Sequence, residues 1–386
     1  MICKKCGALG TITLRKKDIY CDVCFSINIV HKFRGCIGKN KILSKDENVL
    51  ICLSGGKGST VLLDLIHNGI VLDNHKKLRI RPLFLHISNG DVDRINNIIK
   101  QCKLYSFDVY IANIADYFEP NLKILNTNSL PIVNAEHNEK INNMFKDIPL
   151  SVYNDMMLKI KRSLFIKYAK LLDCELIFTA ETTTSLAINL LSNISIGRGS
   201  QIENDIGFMD NRNEKIKIIR PMKDISQEEL DNYMRIKQLT CINFDHHQEN
   251  SIQSVISNFV GDLQENFPAT VSTVCKTADK IGLHNDNKIK KDMKCIICES
   301  NLNRKNLKLS ALEATEFSRL VSLLKPQPTP INSNDGLHTE DWAVVNSMHK
   351  SMFPFIHKTL CFSCSRNYAQ MSQSQLTQTI QELILT

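Results

Sequence analysis

Eight of the chain's 14 cysteines fall into four Cys-x-x-Cys pairs, and these offer the clearest chemistry in the sequence. Cys3 and Cys6 are followed, after 14 intervening residues, by Cys21 and Cys24. Each pair supplies two thiolates from one tight knuckle, and a hairpin between the knuckles would close them around a tetrahedral ion, as in a zinc ribbon. In so short a module metal binding supplies most of the folding free energy, which makes the expected role structural. His31, beyond the second knuckle, reads as a surface or core histidine and not as a fifth ligand. Cys295 with Cys298 and Cys361 with Cys364 repeat the pattern across 62 residues. Loop-closure entropy grows slowly with length, so this separation does not forbid a second zinc site. Two unrelated reduced pairs, or a redox pair, are the alternative.

The second constellation is the loop Ser54-Gly55-Gly56-Lys57-Gly58-Ser59, set between an apolar run and a helical one. Glycines there let backbone amides turn inward, and the hydroxyls and the helix N-terminus add donors for an anion such as a nucleotide phosphate. No Gly-Lys-Ser or Gly-Lys-Thr closes it, so it is not a Walker loop, and Val61 occupies the third glycine position of a dinucleotide fingerprint. A tight structural turn is the bland alternative.

Charge adds a third signal. The chain carries 48 Lys and Arg against 40 Asp and Glu, but residues 1–45 hold ten of the basic residues and only Asp18 and Asp22 among the acidic ones. The net charge of +8 therefore resides in the N-terminal segment. Arg15, Lys16, Lys17, Lys32, Arg34 and Lys39 are the candidate RNA contacts, because dense cations bind phosphate backbones through counterion release. A solvated basic surface without a ligand is the alternative.

These residues need a scaffold, and the pattern of the 386-residue chain describes one. Residues 1–36 read as a basic zinc ribbon with short strands at 11–14 and 18–20. Residues 37–282 alternate strands (48–53, 78–87, 107–114, 175–179 and 215–219) with helices, which predicts an α/β domain around a doubly wound parallel sheet. Residues 121–150, rich in Asn and Lys, read as an insertion or long loop. Ser226 and Glu229 form a capping box that starts a helix to about Ile236. Two amphipathic helices split by Pro268 are expected over 252–281. Residues 283–386 hold the second set of cysteine pairs and the Pro-rich stretch 326–330. No apolar run approaches the roughly 18 residues of a membrane helix, and the start Met-Ile-Cys-Lys-Lys-Cys leaves no room for a secretory signal. Paired cysteines in a large chain of this kind indicate a reducing compartment, the cytosol or nucleus.

The glycine loop resembles the Ser-Gly-Gly-x-Asp-Ser PP-loop of ATP pyrophosphatases, with Gly58 at the aspartate position. Together with the N-terminal ribbon, His31-Lys32-Phe33-Arg34, Gly38-Lys39-Asn40 and Cys361-Phe-Ser-Cys364, it is similar to the cytoplasmic tRNA 2-thiolation protein 2 family. That resemblance implies a PP-loop α/β domain flanked by N-terminal and C-terminal zinc-ribbon-like modules. It also implies a cytoplasmic subunit that binds tRNA and pairs with a catalytic PP-loop paralogue. The complex would thiolate C2 of the wobble uridine in tRNAs for Lys, Glu and Gln. Its sulfur would come from a thiocarboxylated ubiquitin-related modifier, and ATP with Mg²⁺ would activate the uridine oxygen.

The sequence departs from a catalytic pattern at two places. The stretch 155–169 holds no cysteine, and residues 179–185 read Thr-Ala-Glu-Thr-Thr-Thr-Ser where the resemblance leads one to expect paired aspartates. Cys52, Cys102, Cys174, Cys241 and Cys275 lie on or beside expected strands and helices, where a free thiol is usually a small buried hydrophobe. No catalytic residue is assigned, and Lys57 and Glu181 stand as relic candidates. The competing expectation is an active uridine adenylase and sulfurtransferase, with Lys57 neutralising phosphate and Glu181 assisting the metal. A zinc-ribbon RNA-binding scaffold unrelated to thiolation is the third.

Overall fold

A computed structural model of the chain describes residues 1–73, 77–123, 126–241, 251–267, 269–282, 294–300, 302 and 360–370. Two antiparallel strands, β1 (Ile12–Leu14) and β2 (Asp18–Tyr20), open the fold, with Ile12 opposite Tyr20 and Leu14 opposite Asp18. Arg15 and Lys16, at φ 51° and 59°, turn the hairpin in the left-handed region. Helix α1 (Asp22–Lys39) follows directly. The helix is continuous across the expected boundary between the ribbon and the α/β domain, because Phe25, Ile29, Phe33 and Ile37 recur every fourth residue and share one buried face.

That face joins the core of the α/β sheet. Ile12, Leu14, Tyr20, Phe25, Ile29 and Phe33 pack in one apolar cluster with Val49, Ile51, Phe84, Phe178 and Tyr233. The position chosen from sequence as the end of the first module, 36/37, falls inside α1.

The sheet is built from β3 (Glu47–Cys52), β4 (Ile80–Ser88), β5 (Val109–Asn113), β6 (Leu176–Phe178), β7 (Met209–Asp210) and β8 (Lys217–Ile219). Their order is β5-β4-β3-β6-β8-β7. All pairings are parallel except β7 with β8, so the expected doubly wound sheet carries one antiparallel edge strand. The crossovers run through α2 (Lys57–Val71), α3 (Val92–Leu104), α4 (Ala135–Met144), α5 (Leu150–Leu171), α6 (Thr183–Ser195) and α7 (Ile202–Ile206). The chain winds from β3 through β4 to β5 on one side and continues on the other with β6. The crevice beyond the carboxyl ends of β3 and β6 is therefore the topological switch point, where open α/β sheets bind ligands.

The 121–150 segment is not simply a loop, since it contains α4. Asn134 caps that helix by accepting from Glu136 N at 3.0 Å, while Ile141 and Met144 are buried. Its polar composition hid it, because two anchors in ten residues are a weak periodic signal. The capping box is present as read: Ser226 and Glu229 satisfy each other's amides at the start of α8 (Gln227–Lys237). Helices α9 (Ile252–Asn266) and α10 (Thr270–Gly282) lie on either side of position 268 and form a second apolar cluster with α6 and α7.

The chain divides into two compact units, residues 1–288 with 366–386, and residues 289–365. The Pro-rich stretch lies outside the described residues, and in the second unit the description covers the cysteine pairs and the start of α11 (Phe362–Ala369). Among the described residues no helix is long and apolar enough to cross a membrane.

Candidate functional site

Each four-cysteine set converges. The four Sγ atoms of Cys3, Cys6, Cys21 and Cys24 lie within 4.8 Å of one another, as do those of Cys295, Cys298, Cys361 and Cys364. The two sets share one construction. In the first, Cys3 N donates to Ala8 O at 2.8 Å and Gly7 N to Cys3 O at 3.0 Å; in the second, Cys295 N donates to Ser300 O at 2.8 Å and Glu299 N to Cys295 O at 2.8 Å. Gly7 and Glu299 both turn at positive φ, 74° and 55°. The partner pair in each set opens a helix, Cys21 before α1 and Cys361 before α11, so helix-end amides face the thiolates. Cys6 and Cys21 bring their sulfurs to 3.6 Å, and Cys298 and Cys361 do the same. A tetrahedral ion bound at about 2.3 Å separates its sulfurs by roughly 3.8 Å, so both sets fit a single metal ion. His31 is exposed on α1 and outside the cluster.

The glycine loop follows β3 directly and caps α2 through Gly56. Its donors are partly used within the loop: Gly55 N donates to Ser59 Oγ at 3.0 Å, and Ser59 Oγ donates to Gly56 O at 2.9 Å. Gly55 turns at φ 83°, a conformation that favours glycine. Lys57 does not reach the crevice, because its Nζ pairs with Asp231 of α8 at 2.7 Å on a half-exposed surface.

The crevice itself is a cavity of about 360 Å³. Ser54, Gly58 and Ser59 line it from the loop, with Arg94 from α3, Lys161 from α5 and Glu181 after β6. Burial, with Arg94 close by, pulls the Lys161 ammonium below its ordinary pKa. Glu181 approaches Arg220 at 3.8 Å, and its Oε2 is buried with no hydrogen-bond partner. His86 also faces this space. Burial lowers its pKa to about 4, and Nδ1 lies 2.8 Å from Leu53 O, which leaves a neutral ring at pH 7 with an unpartnered Nε2.

Sequence reasoning missed Arg94, Lys161 and His86. Each comes from a different element, and no local spacing ties any of them to the loop. The cavity can hold an anion through hydroxyls and two cations. Among the described residues its lining holds one cysteine, Cys52, whose thiol burial raises well above the ordinary value; away from the cavity, burial raises Cys102 and Cys174 to about 12. Cys275 is raised to about 11 by the same cause. The two cysteine sets are the groups of metal-ligating side chains among the described residues, and neither lines this crevice.

Gly58 stands where the resembled loop has an aspartate. A Cβ at this position would meet Ala180 O at 2.8 Å, so the exit of β6 occupies the space an aspartate needs. Gly58→Asp is therefore expected to confer no ATP turnover on the purified chain and to lower its melting temperature by a few degrees, about 1–2 kcal/mol of strain. Pyrophosphate release gained by this single change would show that the geometry is wrong.

Of the expected RNA contacts, Arg15, Lys16, Lys17 and Lys39 are exposed. Lys32 is held internally by Glu229 at 2.7 Å and by Asp224 O at 2.9 Å. Arg34 is half-buried, its Nη2 lacks a partner, and burial lowers its pKa. The fold brings Arg15, Lys32 and Lys39 to one cavity and leaves Arg34 out of it.

Comparison with known proteins agrees with this geometry. The profile of a family described as cytoplasmic tRNA 2-thiolation protein 2 matches residues 251–366. A protein of that name from Drosophila grimshawi is 31% identical over 330 residues, covering 83% of this chain and 80% of the relative. One from Aedes aegypti is 29% identical over 359 residues, with the same two coverages. Among solved structures, the U34-tRNA thiolase NcsA from Methanococcus maripaludis with its [4Fe-4S] cluster superposes with a TM-score of 0.58 at 18% identity. That match covers 75% of this chain and 91% of the thiolase and shows a shared PP-loop fold.

Proposed function

Because the chain belongs to the cytoplasmic tRNA 2-thiolation protein 2 family, we propose that it serves in the cytoplasm as the tRNA-binding, non-catalytic subunit of a wobble-uridine 2-thiolation complex. The observation that carries the reading is the crevice at the switch point: it keeps an anion-binding frame but presents neither a thiolate nor a pair of carboxylates. A persulfide relay on the protein needs a nucleophilic thiolate, and Mg²⁺ on a triphosphate is ordinarily anchored by carboxylates. A catalytic PP-loop paralogue supplies both, and this chain contributes tRNA binding and the fold of a heterodimer partner. The tRNAs are those for Lys, Glu and Gln, and the sulfur reaches the partner from a thiocarboxylated ubiquitin-related modifier.

Both cysteine sets hold zinc in this reading. Their sulfurs lie at the spacing of ligands to one ion, whereas the four thiolates of a cubane each bind a different iron and stand further apart. When bound, the ions lock the knuckles; they take no part in the reaction. Ser54 and Ser59, with Arg94 and Lys161, hold a phosphate in the crevice, of ATP or of tRNA, and Glu181 and Lys57 are relics.

The test is mass-spectrometric quantification of 2-thiouridine nucleosides in cytosolic tRNA from cells lacking the chain, rescued by the wild type or by Ser59→Ala with Lys161→Ala. Loss of at least tenfold on deletion is expected, with partial rescue by the variant. Unchanged thiolation on deletion would refute the reading. Pyrophosphate release by the purified chain with tRNA and ATP, without the partner, would make it an enzyme in its own right.

A further inference from the structure

A second cavity of about 420 Å³ lies where the β1-β2 hairpin, α1, α8, α9 and α10 meet. Cations enter it from four places in the sequence: Arg15 on the hairpin, Lys32 and Lys39 on α1, Lys223 before α8, and Lys276 on α10. Two of them are held in place by carboxylates, Lys32 by Glu229 at 2.7 Å and Lys223 by Asp279 at 2.5 Å. The side chains of Arg15, Lys39 and Lys276 make no ion pair or hydrogen bond among the described residues, and all three residues are exposed. With Asp224 as its third acidic residue, the cavity carries five cations against three anions.

Three unpaired cations from separate elements repel one another unless an anion lies between them. The amide of Gln264 on α9 adds an uncommitted donor at the rim. The cavity is also not isolated. It shares Arg15 and Gln264 with a groove along α8, where Lys16 and Arg235 stand beside Glu228, Asp231 and Glu265, so the excess of positive charge lies in the cavity and not in the groove. That groove in turn shares Gln227 with the crevice beside the glycine loop. Lys and Arg with amide donors are the ordinary receptors of a sugar-phosphate backbone.

We infer that this cavity is an RNA phosphate-backbone site in which Lys276 and Lys223, about 200 residues or more beyond the basic N-terminal segment, complete the contact begun by Arg15 and Lys39. The inference rests on the tRNA-binding reading and makes it bipartite: the ribbon and α10 grip the same strand. Sequence alone hides this because α10 is close to neutral overall, and its position against α1 follows from the tertiary fold.

The experiment titrates the full-length chain against fluorescently labelled tRNA over a range of salt concentrations. Lys39→Ala with Lys276→Ala is expected to weaken binding about threefold to tenfold and to flatten the slope of log affinity against log salt by roughly 1.5, at about 0.7–0.9 for each phosphate no longer neutralised. Lys280→Ala, an exposed cation on α10 that does not line the cavity, is expected to leave both unchanged. If Arg15, Lys16 and Lys17 to Ala weakens binding while the Lys39 and Lys276 pair does not, the inference fails and the ribbon reading stands. If neither weakens it, the tRNA-binding reading itself fails. An equal loss from Lys280→Ala would reduce the effect to net charge and overturn the site. Binding of polyglutamate that depends on Lys276, without tRNA binding that does, would assign the cavity to an acidic protein segment and overturn it too.

Discussion

Cys6→Ser is expected to lower bound metal from two equivalents per chain to one and to lower the melting temperature of the entire first unit by about 10 °C or more. The reach of this effect follows from the shared core. A ribbon tethered to an independent domain would lose only its own order. Here Ile12, Leu14, Tyr20, Phe25, Ile29 and Phe33 pack with β3, β4 and α8. Each large side chain buried contributes about 1.5–3 kcal/mol, so partial exposure of this face removes several kcal/mol from a fold whose net stability is of order 5–15. About 3–5 kcal/mol corresponds to roughly 10 °C in a unit of this size. Metal analysis with calorimetry checks it, and Cys241→Ser, a lone half-buried cysteine outside both clusters, serves as the control. Loss of one metal equivalent with an unchanged melting temperature would mean that the metal is not needed to hold the hairpin on the sheet.

Asp155→Ala should destabilise the chain by about 3–5 kcal/mol, because it strands buried cations. Asp155, on α5, is 2% exposed. It accepts from Lys159 Nζ at 2.6 Å and, through both oxygens, from Arg198 Nη2 at 2.8 Å, with Asn367 donating as well. Lys159 and Arg198 are themselves buried and cannot reach water when the carboxylate is removed. Burial alone would raise the Asp155 pKa, but the two cations outweigh it and hold it below the usual carboxylate range. Asp210 follows the same rule, with Arg212 and Arg162 outweighing its burial.

The pH dependence has a definite sign. A carboxyl depressed in the folded state contributes stability that is full above its unfolded pKa, about 3.9, and is lost as pH falls toward the folded value. Denaturation midpoints should therefore be flat in this respect from neutral pH to about 5 and fall steeply below 4. Asp155→Asn, lower in stability throughout, should fall less steeply. An acid limb as steep in Asp155→Asn as in the wild type would remove Asp155 from the account.

The structure also separates what was legible in the sequence from what was not. Helix α3 (92–104) fills the interval between the expected strands 78–87 and 107–114, and α8 begins at its capping box, because caps and apolar periodicity act within a few residues. The apolar period of helix α1, Phe25, Ile29, Phe33 and Ile37, is equally short-range, but it is interrupted by cysteines and cations that carry a signal of their own. Helix α4 was less legible, with two buried anchors in a polar segment.

The residues around the glycine loop divide the same way. The glycine loop, its missing aspartate and the missing cysteine pair are read directly from residue types. That Lys57 turns away to Asp231, and that Lys161 and Arg94 take its place in the crevice, depends on partners roughly 40 to 170 residues away.

The sequence by itself determined the donor sets, the anion loop and the alternation of strands and helices, since knuckle spacing, backbone freedom and side-chain periodicity are short-range properties of the chain. Tertiary structure alone decided that the ribbon and the sheet share one core, that both cysteine sets close in the same form, and that cations from the two ends of the first 282 residues meet in one cavity. Those outcomes depend on which apolar faces bury against each other, and that choice sets where long charged side chains find their partners.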